Sequence, residues 1–406
     1  MPTDIAVTGL GLVTPAGFTP EDNWATLCAG RSLAAADPVL HGLPVDFSCQ
    51  VTGLDAEAEL GRLTRRLDDF IQFALVAARR AVRDAALDPH TWRAERVGVV
   101  LGVGGTSLTA YEKAFQHLST GHPDRVSPLS VPRSNPNMAA GEVAIDLGAR
   151  GPNFSVSTAC ASGATAIGVA RDLLRSGTCD IVLAGGTESA RSRMTAACFA
   201  RMRALSRRRD QPHLASRPFD SARDGFVLGE GAAVLVLEPL TAARSRGASV
   251  QALLRGFGSS ADAHHPIAPH PEGRGVIQAV TTALQDAGCR PQDIGHINAH
   301  GTSTPTNDTV EAAALTRIFG DQPPPVTAPK GVIGHSLGAA GAIEAAYTVL
   351  ALRHASIPPV ANFAFQDGDH KLDIVAASPR PLTMGTGISC SFGFGGQNAV
   401  LLFEAA

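Results

Sequence analysis

A thiol at the start of a helix is the first feature of this chain that could do covalent chemistry. Cys160 lies in Thr158-Ala159-Cys160-Ala161-Ser162-Gly163. The apolar run at 154–156 predicts a buried strand feeding this small-residue turn. Beyond it Ile167, Ala170 and Leu174 recur at helical spacing, and Arg175 and Gly177 supply a last turn and C-cap. A cysteine in such a turn is as often a compact buried side chain as a nucleophile. A helix N-terminus stabilises an anion by roughly 0.3–1 kcal/mol, up to ~2 when partly buried. That lowers a thiol pKa by about 0.2–1.5 units. Starting from ~8.5, a reactive thiol needs a histidine beside it as well.

Two of the thirteen histidines stand in glycine-flanked, small-residue settings. His300 occurs in Asn298-Ala299-His300-Gly301-Thr302-Ser303-Thr304-Pro305, directly after a strand-like run at 294–298. His335 occurs in Lys330-Gly331-Val332-Ile333-Gly334-His335-Ser336-Leu337-Gly338. Each sits where a strand or loop feeds a helix, the usual place for active-site residues of α/β proteins, and glycine lets backbone and ligand approach closely. His41, His117, His122, His264, His265, His354 and His370 read as ordinary surface or loop residues. Lys330 is one of only three lysines among 34 basic residues. Near the C-terminus, Ser391-Phe392-Gly393-Phe394-Gly395-Gly396-Gln397-Asn398 reads as a tight turn before a last strand. It could also offer a backbone N–H to an oxyanion. It opens no helix after a strand, which disfavours a dinucleotide site.

The elements around these residues alternate. Apolar runs at 5–7, 97–101, 154–156, 181–184, 233–237, 294–298 and 399–403 predict strands. Alanine-rich segments at 69–86, 162–175, 275–287, 308–319 and 341–352 predict helices. The alternation argues for an α/β protein, and the continuously apolar strands for sheets covered on both faces. A strand, a small-residue turn and an alanine-rich helix recur around 154–175 and 326–352, which hints at an internal duplication.

Composition narrows the function classes. The 406 residues are 44% hydrophobic and 17% charged, with a net charge of −3, which does not point to nucleic acid. Seven scattered cysteines without a CxxC suggest neither a disulfide framework nor a zinc site, and fit a reducing compartment. No signal peptide and no run of ~20 apolar residues is evident, so a soluble cytoplasmic protein without membrane contact is expected.

Together, TACASG (158–163), NAHGTSTP (298–305), KGVIGHSLGAAGA (330–342) and SFGFGGQN (391–398), with RPFDSARDGFVLGEGA (217–232), resemble the elongating-type β-ketoacyl-acyl-carrier-protein synthases. Order and spacing match over nearly the whole chain. The resemblance implies a thiolase fold, five-layered αβαβα, with two similar halves: 1–250 carrying the nucleophile and 251–406 carrying the two histidines. It implies an acyltransferase that performs a decarboxylative Claisen condensation of a Cys-bound acyl chain with malonyl-acyl carrier protein. The implied catalytic group is Cys160, His300, His335, Lys330, Glu344 and Phe394. Cys160 would carry the acyl chain, and the histidines would bind the malonyl thioester carbonyl. Lys330 and Glu344 would orient the histidine site. Phe394 would gate the acyl pocket and share an oxyanion hole with Cys160. Phe226 would crowd the malonyl carboxylate, and Thr302 and Thr304 would contact phosphopantetheine, which arrives on the carrier. No cofactor of the enzyme's own and no metal is implied.

Within that family, a histidine at 335 favours the elongating class over chain starters, and Cys160 argues against an inactive chain-length factor. By spacing from Cys160, Gly105 stands where fatty-acid enzymes carry a bulky residue closing the acyl pocket. Ser130 stands at a second, often aromatic, pocket position near the dimer interface. Small residues at both suggest a longer or wider tunnel, hence type II polyketide or polyene assembly, as a homodimer or beside a chain-length-factor homologue. Fatty-acid elongation is the alternative, and a cysteine thioester hydrolase the alternative from another class. Arg65, Arg66 and Arg203 are the basic residues expected to dock the acidic carrier.

Overall fold

The computed structural model describes residues 4–320, 322–368 and 371–406; His370 lies outside the described residues. Its main sheet has ten strands: β1 (Ile5–Val13), β2 (Val97–Gly102), β3 (Asn153–Val156), β4 (Ile181–Ser189), β5 (Glu230–Pro239), β6 (Ala252–Ala261), β7 (His296–Asn298), β8 (Val326–Thr327), β9 (Thr386–Gly393) and β10 (Gln397–Glu404). The helices that build the layers are α1 (Asp69–Asp84), α2 (Asn137–Leu147), α3 (Ser162–Arg175), α4 (Arg193–Arg201), α5 (Arg274–Ala287), α6 (Pro305–Phe319) and α7 (Ala340–Arg353).

Strand order exposes a duplication. In the first half β1 pairs antiparallel with β5, β5 antiparallel with β4, β4 parallel with β2, and β2 parallel with β3. In the second half β6 pairs antiparallel with β10, β10 antiparallel with β9, β9 parallel with β7, and β7 parallel with β8. Each half thus runs first, last, fourth, second, third strand. They join along a short antiparallel seam where Ile5, Ala6 and Val7 face Leu254, Leu253 and Ala252.

The helices repeat too. α1 and α2 cover the outer face of the first half, where Phe70, Ile71, Leu75 and Val143 pack with Val97, Val99, Val234 and Val236. α5 and α6 cover the second, where Val280, Leu284 and Leu315 pack with Ile297, Val400 and Leu402. α3 and α7 lie between, in a core shared by Leu10, Leu235, Ile167, Ile343, Tyr347 and Leu401. The five αβαβα layers of the thiolase fold follow.

Glycine marks where these layers touch. A Cβ on Gly11 would lie 1.8 Å from the Ala77 carbonyl oxygen of α1, and one on Gly258 would lie 2.1 Å from that of Ala279 in α5. Corresponding strands therefore use the same device to let a helix cross closely. At the centre, a Cβ on Gly163 would meet Ala342 N at 2.6 Å, and one on Gly341 would meet Ala164 N at 2.7 Å. This reciprocal contact brings the two central helix N-termini together.

One expectation is corrected. The strand before Cys160 is not buried: β3 is the sheet's outer strand, paired on one side only, and Phe154 is 37% exposed. Its apolar side chains therefore say nothing of burial within one chain. No helix among the described residues is long and apolar enough to cross a membrane.

Candidate active site

Cys160 owes its place to a strained turn. The chain leaves β3 and reaches Ala159 at φ +48°, a region that side-chain-bearing residues rarely occupy. Ser162 holds the turn: its Oγ accepts the Thr158 N–H at 2.9 Å and donates to the Ala159 carbonyl at 2.6 Å. The second half repeats this with Leu337 at φ +46° ahead of α7. The position matching Cys160 is there Gly338, so only one half carries a thiol at this turn.

His300 follows β7. Its N–H and that of Gly301 donate to the two Glu311 carboxylate oxygens at 2.7 and 2.8 Å. Lys330 Nζ lies 3.3 Å from His300 Nδ1 and donates to the His300 carbonyl at 2.6 Å and to Glu344 Oε1 at 2.5 Å. An ammonium only donates, so Nδ1 must accept and the ring proton sits on Nε2. His335 is fixed by its N–H to the Val227 carbonyl, 2.7 Å away, and packs edge-on against Phe226 with ring centroids 5.4 Å apart. Its Nε2 lies 3.1 Å from Cys160 Sγ. The two imidazoles are nearly perpendicular, with centroids 5.5 Å apart.

Burial sets the protonation states. Both imidazoles are held well below the usual histidine range, first by desolvation and then by the Lys330 charge. Burial pushes the Cys160 thiol up to about 11, against smaller opposing effects of Lys330 and the Phe394 N–H. The lowering expected from the helix start is thus outweighed by desolvation. The resting pair is a neutral thiol beside a neutral imidazole, and His335 Nε2 is placed to take the thiol proton. Burial also raises Glu344 to about 7, although Lys330 opposes this.

Two cavities of about 240 Å³ each open on either side of the sulfur. The first brings together Cys160, His300, His335, Phe226, Thr302, Thr304, Phe394 and Arg203. The second is walled by Gly105, Thr106, Ser107, Glu188 and Thr195. Cys160, Phe199, Leu337 and Phe394 border both, so the thiol and the Phe394 ring stand at the junction. A Cβ on Gly105 would meet nothing within 4 Å. Lys330 and Glu344 lie behind the histidines, each side chain 1% exposed.

Besides Lys330 and Glu344, three expected residues line neither cavity. Ser130 is buried in the short helix Ser130–Ser134, one link behind the second cavity, where the Ser107 N–H donates to the Ser134 carbonyl. Within one chain it therefore lines neither of these two cavities. Arg65 and Arg66 are exposed on a separate turn, and their carbonyls accept from the Arg133 guanidinium. Sequence reasoning missed Glu188, Glu311, Phe199 and Leu337. A signal existed for the first two: Glu188 follows closely on the apolar run 181–184 of the same strand, and Glu311 shares the buried face of α6 with Asp308.

Comparison with known proteins agrees with this geometry. Residues 3–243 match the family model for the β-ketoacyl synthase N-terminal domain, and residues 251–364 match that for the C-terminal domain. The chain is 41% identical over 407 residues to 3-oxoacyl-[acyl-carrier-protein] synthase 2 of Synechocystis sp., covering 98% of this chain and 97% of that one. It is equally identical to the protein of the same name from Coxiella burnetii, covering 98% of each. The ishigamide ketosynthase/chain length factor superposes with a TM-score of 0.94 at 33% identity over the full length of both chains. A ketosynthase bound to the hexaketide, in complex with its type II polyketide synthase acyl-carrier protein, superposes with a TM-score of 0.91 at 30% identity, again over both full lengths.

Proposed function

Because the chain belongs to the β-ketoacyl synthase family, and is thus an acyltransferase-type condensing enzyme, we propose that it extends acyl chains in type II polyketide or polyene assembly. The observation that carries the reading is the pair of cavities meeting at Cys160, with Gly105 leaving the second one unblocked.

The chemistry runs in three steps. His335 Nε2 takes the Cys160 proton, and the sulfur attacks the acyl thioester carbonyl. The pantetheine sulfur leaves as its thiol, carrying that proton. Malonyl-carrier then enters from the first cavity, with the pantetheine arm past Thr302 and Thr304. The bond to its carboxylate breaks, CO2 departs, and the electron pair forms an enolate whose oxygen accepts from the Nε2–H groups of His300 and His335. Phe226, packed on His335, crowds the departing carboxylate and disfavours its solvation. The enolate carbon attacks the acyl-Cys160 carbonyl, the Cys160 and Phe394 N–H groups hold the oxyanion, and the sulfur is expelled as a thiolate as β-ketoacyl-carrier forms; one proton taken up from solvent restores the resting thiol. Lys330, backed by Glu344, fixes the His300 tautomer. Phosphopantetheine comes with the carrier, and no resident cofactor is invoked.

We assign the two halves as 1–250, with the nucleophile, and 251–406, with both imidazoles. The one-sided edge of β3, with Phe154 and Ile145 exposed beside it, is where a partner would add: a second copy or a chain-length-factor homologue. The 41% identity to 3-oxoacyl-[acyl-carrier-protein] synthase 2 proteins favours a second reading, fatty-acid elongation.

Reconstitution with malonyl-carrier, with and without a co-purified cysteine-free homologue, separates the two. Poly-β-keto or polyene products are expected. Strict output of saturated C16–C18-type intermediates, once reductive partners are supplied, would select the second reading. The variant Gly105→Leu, filling open space in the second cavity, should shorten the products.

A further inference from the structure

Glu188 is the next-to-last residue of the strand β4, at the point where the two halves of the chain meet beside the thiol. Its side chain is buried and borders the second cavity. One oxygen, Oε2, accepts two backbone N–H groups, from Gly104 at 2.8 Å and from Gly338 at 3.3 Å. These donors belong to different halves and to different tasks. Gly104 precedes Gly105, the wall of the second cavity. Gly338 lies three residues after His335 and directly after Leu337, which borders both cavities.

The two loops are packed too closely for any side chain between them. A Cβ on Gly338 would lie 2.0 Å from Gly104 N, and one on Gly104 would lie 3.0 Å from Gly338 N and 2.7 Å from Glu188 Oε2. Contact this close leaves both N–H groups pointing at the same spot, and only the carboxylate answers them. Among the described residues no basic side chain pairs with Glu188. A buried carboxyl without a countercharge is unfavourable in itself, so its benefit must lie in what it holds.

We propose that Glu188 is a positioning residue that ties the acyl-cavity loop at Gly104–Gly105 to the His335 turn, so that the surface meeting the acyl chain and the histidine meeting the malonyl unit are set against each other. The inference rests on the reading of the site given above. Reach, not charge, is the requirement: an oxygen must sit where both N–H groups converge. The charge has a separate consequence, because the Glu188 carboxylate opposes ionisation of Cys160.

Three variants of the full-length protein separate these effects. Glu188→Gln keeps an oxygen at the same reach and removes the charge. Glu188→Asp keeps the charge and withdraws the oxygen by one methylene. Glu188→Ala removes both. CO2 release from malonyl-carrier is expected to be at least tenfold slower in the Asp and Ala variants than in the Gln variant, with Cys160 acylation, read by intact mass, affected less. The pH profile of Cys160 alkylation should move to lower pH in the Gln variant and stay in place in the Asp variant, an outcome that loss of packing alone would not give. Equal CO2 release by the Asp and Gln variants would overturn the proposal, whether or not the Ala variant folds. Wild-type protein that releases no CO2 would instead remove the functional reading beneath it.

Discussion

His300 and His335 are neutral for the same reason and differ in what stands behind them. Lys330 faces Nδ1 of His300, which leaves Nε2–H as a fixed donor toward the cavity. No group among the described residues partners Nδ1 of His335, so that ring can carry its proton on either nitrogen. One imidazole is thus a permanent donor, while the other, 3.1 Å from the sulfur, can accept the thiol proton, pass it to the leaving pantetheine thiol, and then take the Nε2–H tautomer that faces the enolate. The arrangement explains a costly feature: removing one partner of a buried pair such as Lys330–Glu344 typically costs about 3–5 kcal/mol. The division of labour predicts separable losses. Cys160→Ala should give no acyl adduct by intact mass. Cys160→Gln should still release CO2 from malonyl-carrier, because both donors remain. Adding His300→Ala to the Gln variant should slow that release by ~10²–10³, the usual effect of losing one oxyanion donor. An unchanged rate would take His300 out of the enolate site.

At the scale of elements, the same close approaches that define the layers also predict where the fold is least tolerant. Gly11→Ala and Gly258→Ala put a methyl group into a helix backbone carbonyl, and each should cost about 1–3 kcal/mol or more in denaturant unfolding, as overpacking does. Gly141→Ala in α2, where a Cβ meets nothing within 4 Å, should instead be neutral or gain up to about 1 kcal/mol from helix propensity. These glycines also explain what sequence did and did not disclose. Strands β1, β4 and β5 were legible only over the unbroken apolar stretches 5–7, 181–184 and 233–237, which the fold buries almost completely. β6 was not, because Gly256 and Gly258, demanded by the crossing of α5, together with the exposed Ser259 erase its strand pattern. β9, Thr386–Gly393, is made of small residues for a similar reason: α7 lies close upon it, and Cys390, Ser389 and Ser391 are wholly buried. The site divides the same way. Cys160, His300 and His335 announce themselves by residue type and glycine neighbours. Glu188 does not, since its two donors are 84 and 150 residues away and only the fold brings them to one oxygen.

The whole molecule carries a net charge of −3, which by itself would repel an acidic partner. Its charge is not evenly spread, however. Arg201, Arg203 and Arg207 are exposed around the C-terminal end of α4, and Arg203 reaches the rim of the first cavity. Met202 and Ile267, 46% and 44% exposed, border the same opening. Arg209, by contrast, is spent on Asp46, and Arg65 and Arg66 lie on another turn. A positive, partly apolar rim around the cavity that leads to Cys160 suits a carrier that delivers its thioester there. Arg203→Glu should therefore raise KM for malonyl-carrier by about tenfold, equivalent to ~1.4 kcal/mol, with little change in kcat. Raising salt should weaken the wild-type interaction in the same way and matter less for the variant, because exposed charges are screened beyond about 8–10 Å at physiological ionic strength. A malonyl-pantetheine fragment lacking the protein carrier passes through the same opening without needing the rim charge. Its kinetics should be indifferent to both changes, and a fragment affected as strongly as the carrier would place Arg203 in pantetheine binding instead of docking.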